Sequence, residues 1–151
     1  MARGREVLGF TLLELLAALA IAGMVLAVSV PSSIRMYESM QYHKAVRDVI
    51  TLFSSARYKA IQSGYAQSVE VQPDKSELRL NSVIKQIPEG VRISVDSAGE
   101  LNRGNVGVIR FYPEGGTSGG SVSVEAATGR GVKVSVDWLL GTVTQEKYDF
   151  N

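Results

Sequence analysis

Cysteine is absent from the chain and histidine occurs once, at His43. Thiolate nucleophiles, disulfide frameworks and thiolate or His-rich metal sites are thereby excluded, although a lack of disulfides does not by itself fix the compartment. Charge of one sign is lacking too. Sixteen Lys and Arg stand against fifteen Asp and Glu, a formal net charge of +1, so no overall basic excess draws the protein to nucleic acid. With 151 residues, 45% of them hydrophobic, the chain has material for one globular domain and not for a large multidomain enzyme.

What is present is unevenly distributed. From Phe10 to Val30 the sequence runs FTLLELLAALAIAGMVLAVSV, 21 residues whose only charge is Glu14. A helix of that length covers about 30 Å, the thickness of a hydrocarbon core. The preceding MARGREVLG carries Arg3 and Arg5 against Glu6, which predicts a cytoplasmic N-terminus and a translocated remainder. Three readings compete for the segment. A secretory signal cut after Ala27-Val28-Ser29 has a small-x-small site, but Glu14 and the length of the run argue against it. A plain membrane anchor leaves unexplained a carboxylate five residues into the apolar run, since a charge costs about 2.5–3.5 kcal/mol at the centre of a membrane helix and is usually functional there.

The third reading rests on the residues themselves. Gly9-Phe10-Thr11-Leu12-Leu13-Glu14-Leu15, behind a short charged leader, resembles the processing motif of type IV pilins and type II secretion pseudopilins. The resemblance implies that prepilin peptidase cuts between Gly9 and Phe10 on the cytoplasmic side, that Phe10 becomes N-methylated, and that Glu14 is the fifth residue of the mature chain. It also implies assembly. A free Phe10 ammonium is an unpaired charge in lipid, and the Glu14 carboxylate of a neighbouring subunit neutralises it at low dielectric. Glycine at position 9 suits close protease access to the backbone, and Pro31 is expected to kink the helix as it leaves the bilayer.

After Pro31, apolar residues recur at Tyr42, Val46, Val49, Phe53, Ala56 and Ala60, spacings of three and four that mark one helical face. Ser63-Gly64 supplies its C-cap. Beyond Gly64 the period changes to two, at Val69 and Val71, Leu78 and Leu80, then Val91, Ile93 and Val95, which predicts strands. Pro73-Asp74-Lys75-Ser76 closes the first hairpin, and short returns favour antiparallel pairing. Further strands are expected at 106–112, 121–125 and 132–138, with a last short one at 140–143 and a fraying polar tail over 145–151. The expected fold class is α+β of type IV pilin-like form, a long N-terminal helix packed on an antiparallel β-sheet head. Its parts are a leader at 1–9, a transmembrane and assembly helix at 10–30, an amphipathic spine helix at 31–64 and a head at 65–151.

The head offers little chemistry. The glycine-rich stretch Pro113 to Gly120 has no following Lys-Ser/Thr and opens no helix, so it reads as a flexible strand connection rather than a phosphate cradle. Asp96 with Glu100, and Glu114 with Glu125, read as solvated loop acids rather than paired catalytic groups or calcium ligands. His43 has no nucleophile motif beside it, and Trp138 ends an alternating strand where half-buried packing is expected. No metal, cofactor or catalytic activity is expected.

Phe111-Tyr112-Pro113-Glu114-Gly115 and the glycine pair that follows resemble the C-terminal region of minor pseudopilin H of the general secretion pathway (GspH) and of FimT pilins, over most of residues 106–143. In that family a Thr-Gly-Arg-type element commonly closes the last strand, and Leu140-Gly141-Thr142 stands at the corresponding place. The resemblance implies a minor pseudopilin of a type II secretion system, single-pass in the bacterial inner membrane with its head in the periplasm. Other pseudopilins or pilins in a filament and prepilin peptidase are its partners. The alternative is a FimT-like minor pilin that binds DNA for uptake, with Arg103, Arg110, Arg130 and Lys133 as candidate contacts and Arg130 and Lys133 foremost. From residue 65 onward, however, nine Lys and Arg meet eleven Asp and Glu, whereas residues 32–64 hold five against two. The positive excess lies on the helix, and nucleic acid is not expected as a partner.

Overall fold

The computed structural model describes residues 9–97, 99 and 104–150, with the backbone alone at 30–32. It divides into two units, Met1–Tyr37 and Glu38–Asn151, and one helix, α1 (Leu12–Ser63), contributes to both.

In the first unit α1 opens at Thr11, whose Oγ1 accepts the Glu14 backbone N–H at 3.2 Å while its carbonyl accepts Leu15 N–H at 3.2 Å. Thr11-x-x-Glu14 is thus an N-cap followed by an acid in the first turn, which satisfies an orphan donor and complements the helix dipole. Every large apolar side chain from Phe10 to Val28 is at least 56% exposed. A helix apolar on all sides finds its solvent in lipid or among other helices. Pro31, with its expected kink, lies at positions whose side chains are outside the described residues, and the helical backbone continues through it.

The second unit begins on the amphipathic part of α1. All six stripe residues named from sequence are buried, joined by Ala45 and Leu52. Ala56 and Ala60, fully buried and small, let the helix approach the sheets closely. Gly64, at φ 71°, ends it, donating its N–H to the Ala60 carbonyl at 3.0 Å, the left-handed C-cap that glycine adopts without a Cβ penalty.

Eight strands follow: β1 (Gln67–Gln72), β2 (Glu77–Leu80), β3 (Val83–Gln86), β4 (Val91–Ser97), β5 (Gly107–Phe111), β6 (Gly120–Ala126), β7 (Arg130–Val136) and β8 (Val143–Asp149). They form the expected antiparallel head as two four-stranded sheets, ordered β3-β2-β1-β5 and β4-β6-β7-β8. Local turns do make the β1–β2, β2–β3, β6–β7 and β7–β8 pairs. The remaining pairs, β1 with β5 and β4 with β6, join distant segments. The core strands pair apolar to apolar: Val69 and Val71 oppose Leu80 and Leu78, while Ile93 and Val124 oppose each other, and these residues share one core with α1. Phe53 of α1 meets Phe111 of β5 with ring centroids 5.8 Å apart at 49°, a tilted pair at the centre of that core.

Three local expectations are corrected. The strand expected to reach residue 138 stops at Val136, and Trp138 stands in a turn, 68% exposed. The last strand is not 140–143. It is β8, whose polar residues pair with β7 from Val136↔Val143 to Arg130↔Asp149, so the tail expected to fray is an edge strand held by backbone bonds. Finally, Val83–Gln86 is a strand beyond those expected from the sequence. It pairs with β2 across Asn81-Ser82, where Asn81 takes φ 54°.

Candidate functional site

At the N-terminal end Gly9 and Phe10 precede the helix, both exposed, Phe10 at 83%. The dipeptide lies uncovered ahead of the capped helix. The leader residues 1–8 lie outside the described residues. Glu14 is exposed one turn into α1, and its backbone N–H, not its carboxylate, engages Thr11. Among the described residues one helix is long and apolar enough to cross a membrane, and its apolar window lies near the N-terminus.

In the second unit the candidate DNA contacts do not converge. Arg103 lies outside the described residues. Arg110 projects from β5 in the first sheet and donates Nε–H to Ser68 Oγ at 3.2 Å. Arg130 and Lys133, three residues apart on β7, fall on opposite faces. Arg130 shares the face of Val132 and Val134, whereas Lys133 lies between Ser123 and Glu146 on the outer face. That outer face is polar, and Glu125 on it accepts the Tyr148 hydroxyl at 3.0 Å and lies 3.8 Å from the Arg92 guanidinium. Gly131 makes this possible, because a Cβ there would overlap the Tyr148 ring.

Neither acid pair gathers into a site. Glu125 is engaged as described, Glu114 is exposed in a turn, Asp96 faces outward on β4, and Glu100 lies outside the described residues. Among the described residues no three His, Cys, Asp or Glu side chains come together as a metal site. His43 is exposed and tilts against the Tyr42 ring with centroids 5.4 Å apart.

The glycine-rich connection is not a loose loop. Tyr112 and Gly115 N–H groups donate to the Gly116 and Tyr112 carbonyls at 2.9 and 3.0 Å, and Thr117 N–H donates to the Trp138 carbonyl at 2.8 Å. The 137–141 turn is held as firmly. Asp137 Oδ1 accepts Leu139 and Leu140 N–H at 2.9 and 2.7 Å, and Arg57 of α1 donates Nη2–H to the Leu140 carbonyl at 3.1 Å. Gly141 fits here at φ 62°, because a Cβ would strike the Gly115 carbonyl. The result is a fixed turn that displays Trp138, Leu139 and Leu140 at 68, 61 and 65% exposure. Sequence reasoning missed this apolar surface. Its signal was present in three consecutive large apolar residues between an Asp and a Gly.

Comparison with known proteins agrees with this arrangement. Residues 5–30 match the family described as the Prokaryotic N-terminal methylation motif, a span that contains Gly9, Phe10 and Glu14. No curated protein matches the chain. The solved structure of the minor pseudopilin EpsH from the Type 2 Secretion System of Vibrio cholerae superposes with a TM-score of 0.56 at 12% identity, covering 70% of this chain and 94% of that one. The chain therefore joins a prokaryotic N-terminal methylation motif at residues 5–30 to a fold shared with a minor pseudopilin, a long N-terminal helix followed by antiparallel sheets.

Proposed function

We propose that this chain is a minor pseudopilin of a type II secretion system, a structural subunit that catalyses nothing itself. The observation that carries the reading is the conjunction of Gly9, Phe10 and Glu14 at the mouth of an apolar helix, within the matched motif and ahead of a pseudopilin-fold head. Prepilin peptidase hydrolyses the Gly9–Phe10 bond on the cytoplasmic side of the inner membrane, and the freed Phe10 amine is methylated. Residues 10–30 hold the subunit in the bilayer, with Pro31 as the kink at its boundary and the head in the periplasm. Assembly follows from charge. The Phe10 ammonium and the Glu14 carboxylate each cost free energy in lipid, and the carboxylate of one subunit offsets the ammonium of its neighbour.

Glu14→Val tests the assembly step. Membrane insertion is spared, since the substitution removes only charge and keeps the backbone donor to Thr11. Incorporation fails, because breaking one side of a buried ion pair costs about 3–5 kcal/mol. Crosslinking to partner pseudopilins in membranes at equal expression measures the effect. Undiminished crosslinking and secretion in Glu14→Val would show that the carboxylate has no such role.

A further inference from the structure

One corner of the second sheet breaks the pattern of the rest. The inward positions of β8 are Val143, Gln145, Lys147 and Asp149, opposite Val136, Val134, Val132 and Arg130 of β7. Only the first is apolar. On a sheet face that otherwise supplies the core, polar residues at three successive inward positions mark a place where something other than core packing is being served. They open a cleft of about 320 Å³ between α1 and the β7–β8 edge. Its floor is apolar, from the buried Tyr42, Val46 and Val132.

The charges around the cleft are uneven. Arg130 and Lys147 have no carboxylate within ion-pair distance among the described residues, and the side-chain contact of Arg130 is Nε–H to Thr128 Oγ1 at 3.4 Å. Asp149 is the single acid on the lining, and His43 adds an imidazole. The Tyr42 hydroxyl, at the floor, has no hydrogen-bond partner among the described residues. Two unpaired cations and a free hydroxyl above an apolar floor fit one carboxylate carried on an aliphatic stem.

The backbone identifies what carries that carboxylate. β8 is the outer strand of its sheet, so one row of its N–H and C=O groups is unpaired among the described strands. An extended polypeptide pairs with such an edge, and its alternate side chains point to the inner face, where the cleft lies. A sugar–phosphate backbone carries no amide N–H to pair with the strand's carbonyls, and Asp149 opposes a polyanion that only two cations would hold.

We infer that the β8 edge and the adjoining Arg130–Lys147 cleft form a docking site for an extended acidic polypeptide segment, bound as an added strand with a Glu or Asp side chain in the cleft. The test uses the full chain in nonionic detergent and a fluorescent eight-residue peptide of alternating Thr and Val with one central Glu. Fluorescence anisotropy at low salt follows its binding beside a Gln counterpart, a version N-methylated on alternate amides, and duplex DNA.

The Glu peptide saturates, and the Gln and N-methylated peptides bind roughly tenfold more weakly or worse, as loss of a charge-assisted bond or of strand pairing requires. Arg130→Gln and Lys147→Gln, at exposed positions, lower affinity for the Glu peptide by a similar factor and leave the melting temperature unchanged. Four results overturn the inference: equal binding of the Glu and Gln peptides, undiminished binding of the N-methylated one, no saturation by about 1 mM, or tight DNA binding with none of peptide.

Discussion

Gly141→Ala measures how firmly the head holds the turn that displays Trp138, Leu139 and Leu140. Alanine at φ 62° costs about 1–2 kcal/mol in the left-handed region, offset by about 0.4–1 kcal/mol through the stiffer unfolded chain. That much would also apply to Gly64→Ala, where φ is 71° and no atom lies within 4 Å of an added Cβ. Gly141 differs because its Cβ would meet the Gly115 backbone carbonyl and approach Arg57 Nε at 3.0 Å. Backbone cannot swing aside as a side-chain tip does, so the turn must move away from the glycine-rich connection. Two bonds are then lost, Arg57 to the Leu140 carbonyl and Thr117 N–H to the Trp138 carbonyl, at about 0.5–1.5 kcal/mol each. The sum is about 2–4 kcal/mol, a fall of roughly 6–20 °C in melting temperature for a head of this size. Gly64→Ala should lower it by less than about 5 °C. Trp138 is the only tryptophan in the chain, so its fluorescence during a thermal melt of the full chain in detergent reports on this turn directly. Equal melting of the two variants would refute the close-approach argument.

Three other outcomes are expected. Phe53→Ala, which empties the centre of the core beside Phe111, should cost about 3–5 kcal/mol in denaturant unfolding. Stability should fall as pH rises above 10, where unfolded tyrosines ionise. Burial raises the pKa of Tyr148, with the bond to Glu125 and its charge adding and Ser123 opposing; burial also raises that of Tyr42 against the nearby Arg130. Folding therefore favours the neutral phenols, their contribution is complete below pH 10 and is lost through the higher folded values, and Tyr148→Phe should flatten the alkaline decline seen in melts. Duplex DNA should bind weakly and without saturation at low salt, since Arg130 and Lys133 lie on opposite faces of β7; tight binding abolished by changing both to Ala would reverse that conclusion.

Local chemistry was legible in the sequence and long-range pairing was not. The stripe from Tyr42 to Ala60 shows itself because a helix repeats every 3.6 residues, and each of its members is buried. The hairpin through Pro73 to Ser76 shows itself because proline and a short polar run specify a turn. By contrast β8 is polar on both faces and is held through β7's backbone, so its side chains carry no strand signal. Val83-Ile84 in β3 are adjacent and both exposed, which hides the alternation. The division into two sheets depends on Gln67 meeting Phe111, and no local turn encodes that encounter. The same applies to the candidate sites. The Gly9-Phe10-Glu14 motif is contiguous and visible, whereas the cleft beside Lys147 exists only once the register of β7 and β8 is known.

The central claim is that the chain is a processed subunit whose mature N-terminus is Phe10. Mass spectrometry of the N-terminal peptide from native membranes tests it most directly. The account predicts a chain that begins at methylated Phe10, and an intact Met1 when Gly9 is replaced by Leu. A wild-type chain beginning at Val30 would restore a cleaved secretory signal, an intact wild-type Met1 would leave a plain anchor, and either would contradict the account.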